Sequence, residues 1–350
     1  MLKVPSVGGD QRREVLRSST KESLKQKQFE ERTGEKMAQH VSVMLERCVA
    51  LLAPAIERSE SPVVVDATLG LGGHAEALLS KYSKLIVIGI DRDAEAIEHA
   101  KSRLHSFGDR FKPIHAIYDD IQHCIENFGY SKVNGVLFDL GISSMQVDEN
   151  ARGFSYSQDA PLDMRMDRSQ GRTAADLVNF GERDELIMIL RKYGEEKFAP
   201  RIVDSILRRR AISPLNSTAE LAALVKESIP AATRRTGGNP AKRTFQALRI
   251  AVNDELEVLT RAIPASMNAL GVGGRLVVMS FQSLEDRIVK NFFSAATQSL
   301  TPRELPVEIP GLAAKFKLVV KSSETPSALE LIENPRSQSV RLRAIERLAA

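Results

Sequence analysis

The chain has 350 residues, 43% of them apolar, 27% charged and 5% aromatic, which describes an ordinary globular protein and excludes a fibrous or wholly disordered one. Its 49 basic and 45 acidic side chains leave a formal charge of +4, so charge over the whole chain does not mark a nucleic-acid binder; local patches would have to. No apolar run approaches the ~20 residues of a membrane helix, and Cys48 and Cys124 sit in apolar contexts without metal-ligand spacing, which reads as reduced core cysteines of a cytoplasmic protein that holds no metal.

Residues 1–36 are polar and mixed in charge, with no signal-peptide core, and read as a disordered tail. An amphipathic helix follows through Val43, Leu45 and Val49–Leu52, with Pro54 as its end. Pro62–Asp66 is a β-branched strand that stops in a turn containing Gly70, Gly72 and Gly73, and Ala75–Leu79 continues as a helix. Lys84–Asp91 is an apolar strand of the kind buried on both faces. Asp93 caps the next helix, which runs to Leu104. Phe111–Ile117 and Val133–Asp139 are the third and fourth strands.

Strand and helix alternating at this spacing predict a parallel sheet wound by right-handed crossovers. The alternation then breaks. Between Val147 and Arg243 the patterns are helical, over Ala174–Phe180, Asp184–Tyr193, Phe198–Arg210 and Thr218–Ser228. Strand patterns resume at Gly273–Phe281, Phe316–Val320 and Ser339–Ile345. The expected organisation is a polar tail (1–36), an α/β core in two parts (37–146 and 244–350) and a helical insertion (147–243).

Three strands end in a carboxylate: Asp66, Asp91 and Asp139. Open parallel sheets bind ligands at the carboxyl ends of their strands, and glycines after the first strand let a ligand approach the backbone. Asp91 stands near the spacing at which an acid binds ribose hydroxyls. That spacing suits a dinucleotide and S-adenosylmethionine equally. Asp66 either orders the glycine turn or faces the charged end of a ligand.

With these pieces in place the chain resembles the RsmH (MraW) family from about His40 onwards. The motifs that carry the resemblance are Asp66–His74, Gly89–Asp93, Phe138–Ser144, Arg152–Ser155, Pro161–Asp167, Tyr193–Glu196, Arg243–Ile250 and Ser283–Arg287. The resemblance implies a Rossmann-like, S-adenosylmethionine-dependent methyltransferase acting on the exocyclic N4 of a cytidine in small-subunit ribosomal RNA near the decoding centre. It implies cofactor contacts at Gly72, Gly73, His74, Asp91, Tyr118, Asp139 and Gln146. It also implies small-subunit ribosomal RNA as partner, within an assembled or nearly assembled subunit, with no membrane or DNA partner and with a homodimer left open. One position departs from the family: Gln282 stands where a histidine is usual.

A cytosine amine is a poor nucleophile that needs orientation and acceptors for its two hydrogens, and no residue is assigned as general base. Asp139 touches either the amine or the cofactor. Phe154, Tyr156 and Phe281 are either stacking surfaces for a splayed base or core aromatics. Asp163, Arg165 and Asp167 are either a salt-bridged wall or substrate contacts, with Arg165 the substrate-binding candidate among them. Arg234, Arg235, Lys242 and Arg243, in and after a loop rich in small residues, are candidates for phosphate contacts. Arg208–Arg210 either add to that surface or compensate a helix dipole.

Overall fold

The computed structural model describes residues 42–143, 145–146, 150–230, 239–302, 307, 309 and 311–349. The tail 1–36, Ser144, Val147, Arg234 and Arg235 lie outside the described residues.

Seven strands form one sheet: β1 (Val63–Asp66), β2 (Ile86–Asp91), β3 (Phe111–His115), β4 (Val133–Asp139), β5 (Leu270–Ser280), β6 (Phe316–Leu318) and β7 (Arg341–Arg347). Their order across the sheet is β3-β2-β1-β4-β5-β7-β6. The first five are mutually parallel, in register Val64 to Val87 and Val64 to Gly135. β7 enters antiparallel between β5 and β6, so the all-parallel expectation holds only for the first five strands. The order in which strands are added to the sheet reverses between β1 and β4, and the strand ends flanking that reversal form the crevice where such sheets bind ligands.

The apolar runs follow from burial on both faces. Val64, Val87, Leu137 and Val277 point into one core under α1 (Leu45–Glu57), α2 (Gly73–Lys81) and α3 (Ala94–Leu104). Val63, Val65, Ile88, Val136 and Val278 point into the other, under α4 (Ile121–Glu126), with helices from the later part of the chain. Pro54 does not end α1; three further residues continue it, and Ala55 and Ile56 are buried. A proline removes one helical hydrogen bond, but packing of the next turn on the sheet outweighs that loss.

Between β4 and β5 lie α5 (Ala174–Phe180), α6 (Arg183–Gly194), α7 (Ala199–Arg210), α8 (Thr218–Ser228), α9 (Lys242–Asn253) and α10 (Glu255–Ala269). Thr173 caps α5 with a reciprocal Asp176 bond, and Ser217 caps α8. Helices α5 to α9 surround a third apolar core that includes Leu177, Ile189, Ile202, Val225 and Phe245. α11 (Ser283–Ala296) follows β5, and α12 (Ala328–Glu333) precedes β7.

Candidate active site

The turn after β1 is tied to both neighbouring strands. Thr68 Oγ1 accepts from the Asp139 N–H at 2.6 Å, and the Leu69 N–H donates to the Ile90 carbonyl. The Gly70 N–H donates to Asp91 Oδ2 at 2.8 Å. Gly70 and Gly72 have φ of +51° and +77°, a left-handed backbone that glycine adopts without strain. Gly72 is also the N-cap of α2, so the helix's free N–H groups open beside the turn.

Asp66, Asp91 and Asp139 end three adjacent strands around this turn. Burial pushes all three up, Asp66 to about 7, Asp91 to about 6 and Asp139 to about 8. For Asp66 a backbone bond from Thr68 opposes the rise and Asp91 adds to it. Asp66 and Glu285 add to the rise at Asp139. Asp91 Oδ1 also accepts the Asp93 N–H at 2.9 Å, and Oδ1 of Asp139 is buried with no hydrogen-bond partner among the described residues. Crowded carboxylates of this kind favour a cationic ligand, whose charge would restore their ordinary acidity, and repel the pyrophosphate of a dinucleotide.

His74 is buried on α2, with Nε2 against the Val43 carbonyl at 3.1 Å; that oxygen is an acceptor, so Nε2 carries the proton. Nδ1 faces Asp139 Oδ2 at 3.8 Å. Burial lowers His74 to about 4, so the ring is neutral at pH 7. Tyr118, just after β3, packs edge-on against Phe138 at 5.3 Å. Gln146 is buried and uses both ends of its amide within the protein, accepting from the Ser143 N–H and donating to Asp93 Oδ2 at 2.9 Å.

Other candidates sit elsewhere. Phe154 is buried in the helical core and Tyr156, half-buried, packs edge-on against Phe245 there. Of the three stacking candidates, Phe281 lies at the strand ends: it follows β5, half-buried, with its ring beside Gly141. Arg165 forms a two-pronged pair with Asp163 at 2.8 and 3.0 Å. Arg209 and Arg210 bond backbone carbonyls near helix ends, and Arg208 bonds Ser205. Lys242 and Arg243 are exposed on the first turn of α9. Positive charge there opposes the dipole of α9, while Arg243 Nη1 donates to the Glu195 carbonyl at the end of α6 at 3.3 Å.

Sequence reasoning left roles unassigned for several residues around this site. Glu285 accepts the N–H groups of Phe281 and Gln282 at 2.8 and 3.1 Å, and burial raises it to about 7 against the lowering effect of Arg249. Arg249 pairs two-pronged with Glu255 at 2.8 Å. Arg152, Asp93 and Asn253 are buried polar residues beside the Asp91 turn. The motifs containing Arg152, Asp93 and Glu285 were visible, but nothing in the linear order reveals partners on remote segments.

Residues 37–348 match the model of the MraW methylase family. The ribosomal RNA small subunit methyltransferase H of Renibacterium salmoninarum is 53% identical over 313 residues, covering 88% of this chain and 95% of that one. The protein of the same name from Salinispora arenicola is 53% identical over 315 residues, covering 90% and 85%. That from Mycobacterium marinum is 54% identical over 316 residues, covering 88% and 80%.

Proposed function

The chain belongs to the MraW methylase family, and from that premise we propose that it transfers the methyl group of S-adenosylmethionine to the exocyclic N4 of a cytidine in small-subunit ribosomal RNA near the decoding centre. The coarser activity, S-adenosylmethionine-dependent methylation of small-subunit ribosomal RNA, accords with the name its relatives carry. The observation that carries the reading is the convergence of three strand-end carboxylates on a glycine turn at the sheet's reversal point.

The bound cofactor supplies an electrophilic methyl on a positively charged sulfur. Gly72 and Gly73 would hold its amino-acid portion at the α2 terminus, and Asp91 would accept from the ribose hydroxyls with the lone pairs its backbone bonds leave over. Tyr118 would hold the adenine. His74 and Gln146 hold the site from behind, His74 beside Asp139 and Gln146 through Asp93. Asp139 borders both cofactor and substrate and accepts an N–H of the amine. Holding the amine and the methyl donor together in reacting geometry, to which this bond contributes, is worth about 7–11 kcal/mol in favourable cases. Phe281 stacks on the flipped base. Lys242 and Arg243 contact phosphates beside a small subunit that is assembled or nearly so, and Arg234 and Arg235 extend that surface on sequence grounds.

Mass mapping of ribosomal RNA from cells lacking this protein tests the reading. One small-subunit cytidine should lose one N4 methyl group. An unchanged cytidine modification pattern would refute it.

A further inference from the structure

Arg152 is 1% exposed and its partner Asp93 2%, an ion pair taken almost wholly out of water. Such a pair adds little net stability compared with an apolar contact of similar size. What distinguishes it here is its place. Arg152 Nη2 donates to Asp93 Oδ2 at 2.8 Å and to the Met166 carbonyl at 2.9 Å, while Nη1 donates to Glu95 Oε2 at 3.0 Å. The Met166 N–H donates to Asn253 Oδ1 at 2.7 Å, and Asn253 Nδ2 donates to the Met164 carbonyl at 2.7 Å. Arg92 Nη1 donates to the Asn253 carbonyl at 2.6 Å, and Arg92 adjoins Asp93 in the chain.

These bonds close a ring. It runs from the turn after β2, through Arg152 to the 164–166 segment, on to the end of α9 and back to the same turn. Met164 and Met166 belong to the apolar core of the helical cluster. Asp91 Oδ1 accepts the Asp93 N–H, so a displacement of Asp93 is carried directly to Asp91.

We propose that Arg152 is a positioning residue that, through Asp93 and Asn253, ties the turn bearing the ribose acid to the helical cluster, so that cofactor binding and RNA binding strengthen one another. This rests on the reading given under Proposed function. The turn is held from the side of the helical cluster as well as from the sheet. A substrate that orders the cluster therefore orders Asp91, and by reciprocity the cofactor strengthens RNA binding by the same factor.

The test uses the full chain and small ribosomal subunits purified from cells lacking it. Transfer of a labelled methyl group to those subunits is measured first, and its failure would overturn the functional reading rather than the coupling. The affinity for S-adenosylhomocysteine is then measured by calorimetry with and without saturating subunits. Wild-type affinity should rise at least about fivefold with subunits present. In Arg152→Lys, whose single ammonium cannot reproduce the planar fork, that ratio should fall below about twofold while S-adenosylhomocysteine alone still binds. Arg92→Gln removes the bond to the Asn253 carbonyl, the ring's other link to the turn, without stranding a buried charge and should lower the ratio likewise; it decides alone if Arg152→Lys does not fold. A wild-type ratio of one or less, or an undiminished ratio in a folded variant, would overturn the coupling.

Discussion

At Asp91 both carboxylate oxygens already receive backbone N–H groups, from Gly70 and Asp93, so this side chain shapes the turn as well as facing the ligand. Asp91→Ala should therefore weaken cofactor binding by about 1.5–3 kcal/mol, or roughly ten- to 150-fold, read by calorimetry. The pH dependence follows from Asp66 and Asp139, at about 7 and about 8. A carboxyl whose folded pKa lies above its unfolded value keeps its proton in the folded state, so the ligand-free protein loses stability as pH rises from about 4 to about 8. A cationic ligand prefers the ionised carboxylates, so affinity for S-adenosylmethionine should climb between about pH 6 and pH 8. It should climb more steeply than affinity for S-adenosylhomocysteine, which lacks the sulfonium charge. Parallel slopes in calorimetric titrations would remove these carboxylates from contact with the sulfonium. Gln282 is the N-cap of α11, beside Glu285. A neutral amine needs an oriented acceptor more than a base, so Gln282→His should change the transfer rate by less than about tenfold, or 1.4 kcal/mol. The strand-end aspartates were legible in the sequence because each closes an apolar run. Gln146 came only through the family resemblance and Arg152 only as part of a motif; their shared contact with Asp93 was not legible, because Asp93 lies 53 and 59 positions away and a charged residue such as Arg152 reads as exposed.

Elements with a clean amphipathic period were legible nearly to the residue: α5 and α8 span the segments their patterns predict, and β4 does too. α10 was not read as a helix; it carries Pro264 in its interior and buries residues around much of its circumference, which blurs the period. α6 and α9 meet at Gly194, where an added Cβ would lie 2.6 Å from the Arg243 carbonyl and 3.1 Å from the Ala247 Cβ. Gly194→Ala should force these helices apart and destabilise the protein by about 1–3 kcal/mol in urea unfolding. The first turn of α9 offers a different handle. If Lys242 and Arg243 touch phosphates, replacing both with Gln should reduce the slope of log affinity against log salt by about 1.4 for single-stranded RNA and leave cofactor binding unchanged.

Across the whole molecule, Glu346 fastens the antiparallel side of the sheet. It is buried on β7 and accepts from Arg275 on β5 at 2.7 and 2.9 Å, with Lys317 on β6 at 2.9 Å. Burial alone would raise its pKa, yet the bonds from Lys317 and Arg275 outweigh that and hold it at about 2. Its stabilising effect is thus present above the ordinary glutamate range and lost as pH falls toward 2. Glu346→Gln should cost about 3 kcal/mol at neutral pH, seen as a lower urea midpoint, because Arg275 keeps its charge without its partner. The place of β7 also matters while the protein is being made. β5 must wait for its other neighbour until the polypeptide has grown by a further 60-odd residues, roughly 3–13 s at ordinary rates of synthesis. For that interval Leu276–Met279, four apolar residues in a row, lie along an unpaired strand edge, the kind of template on which nascent chains aggregate.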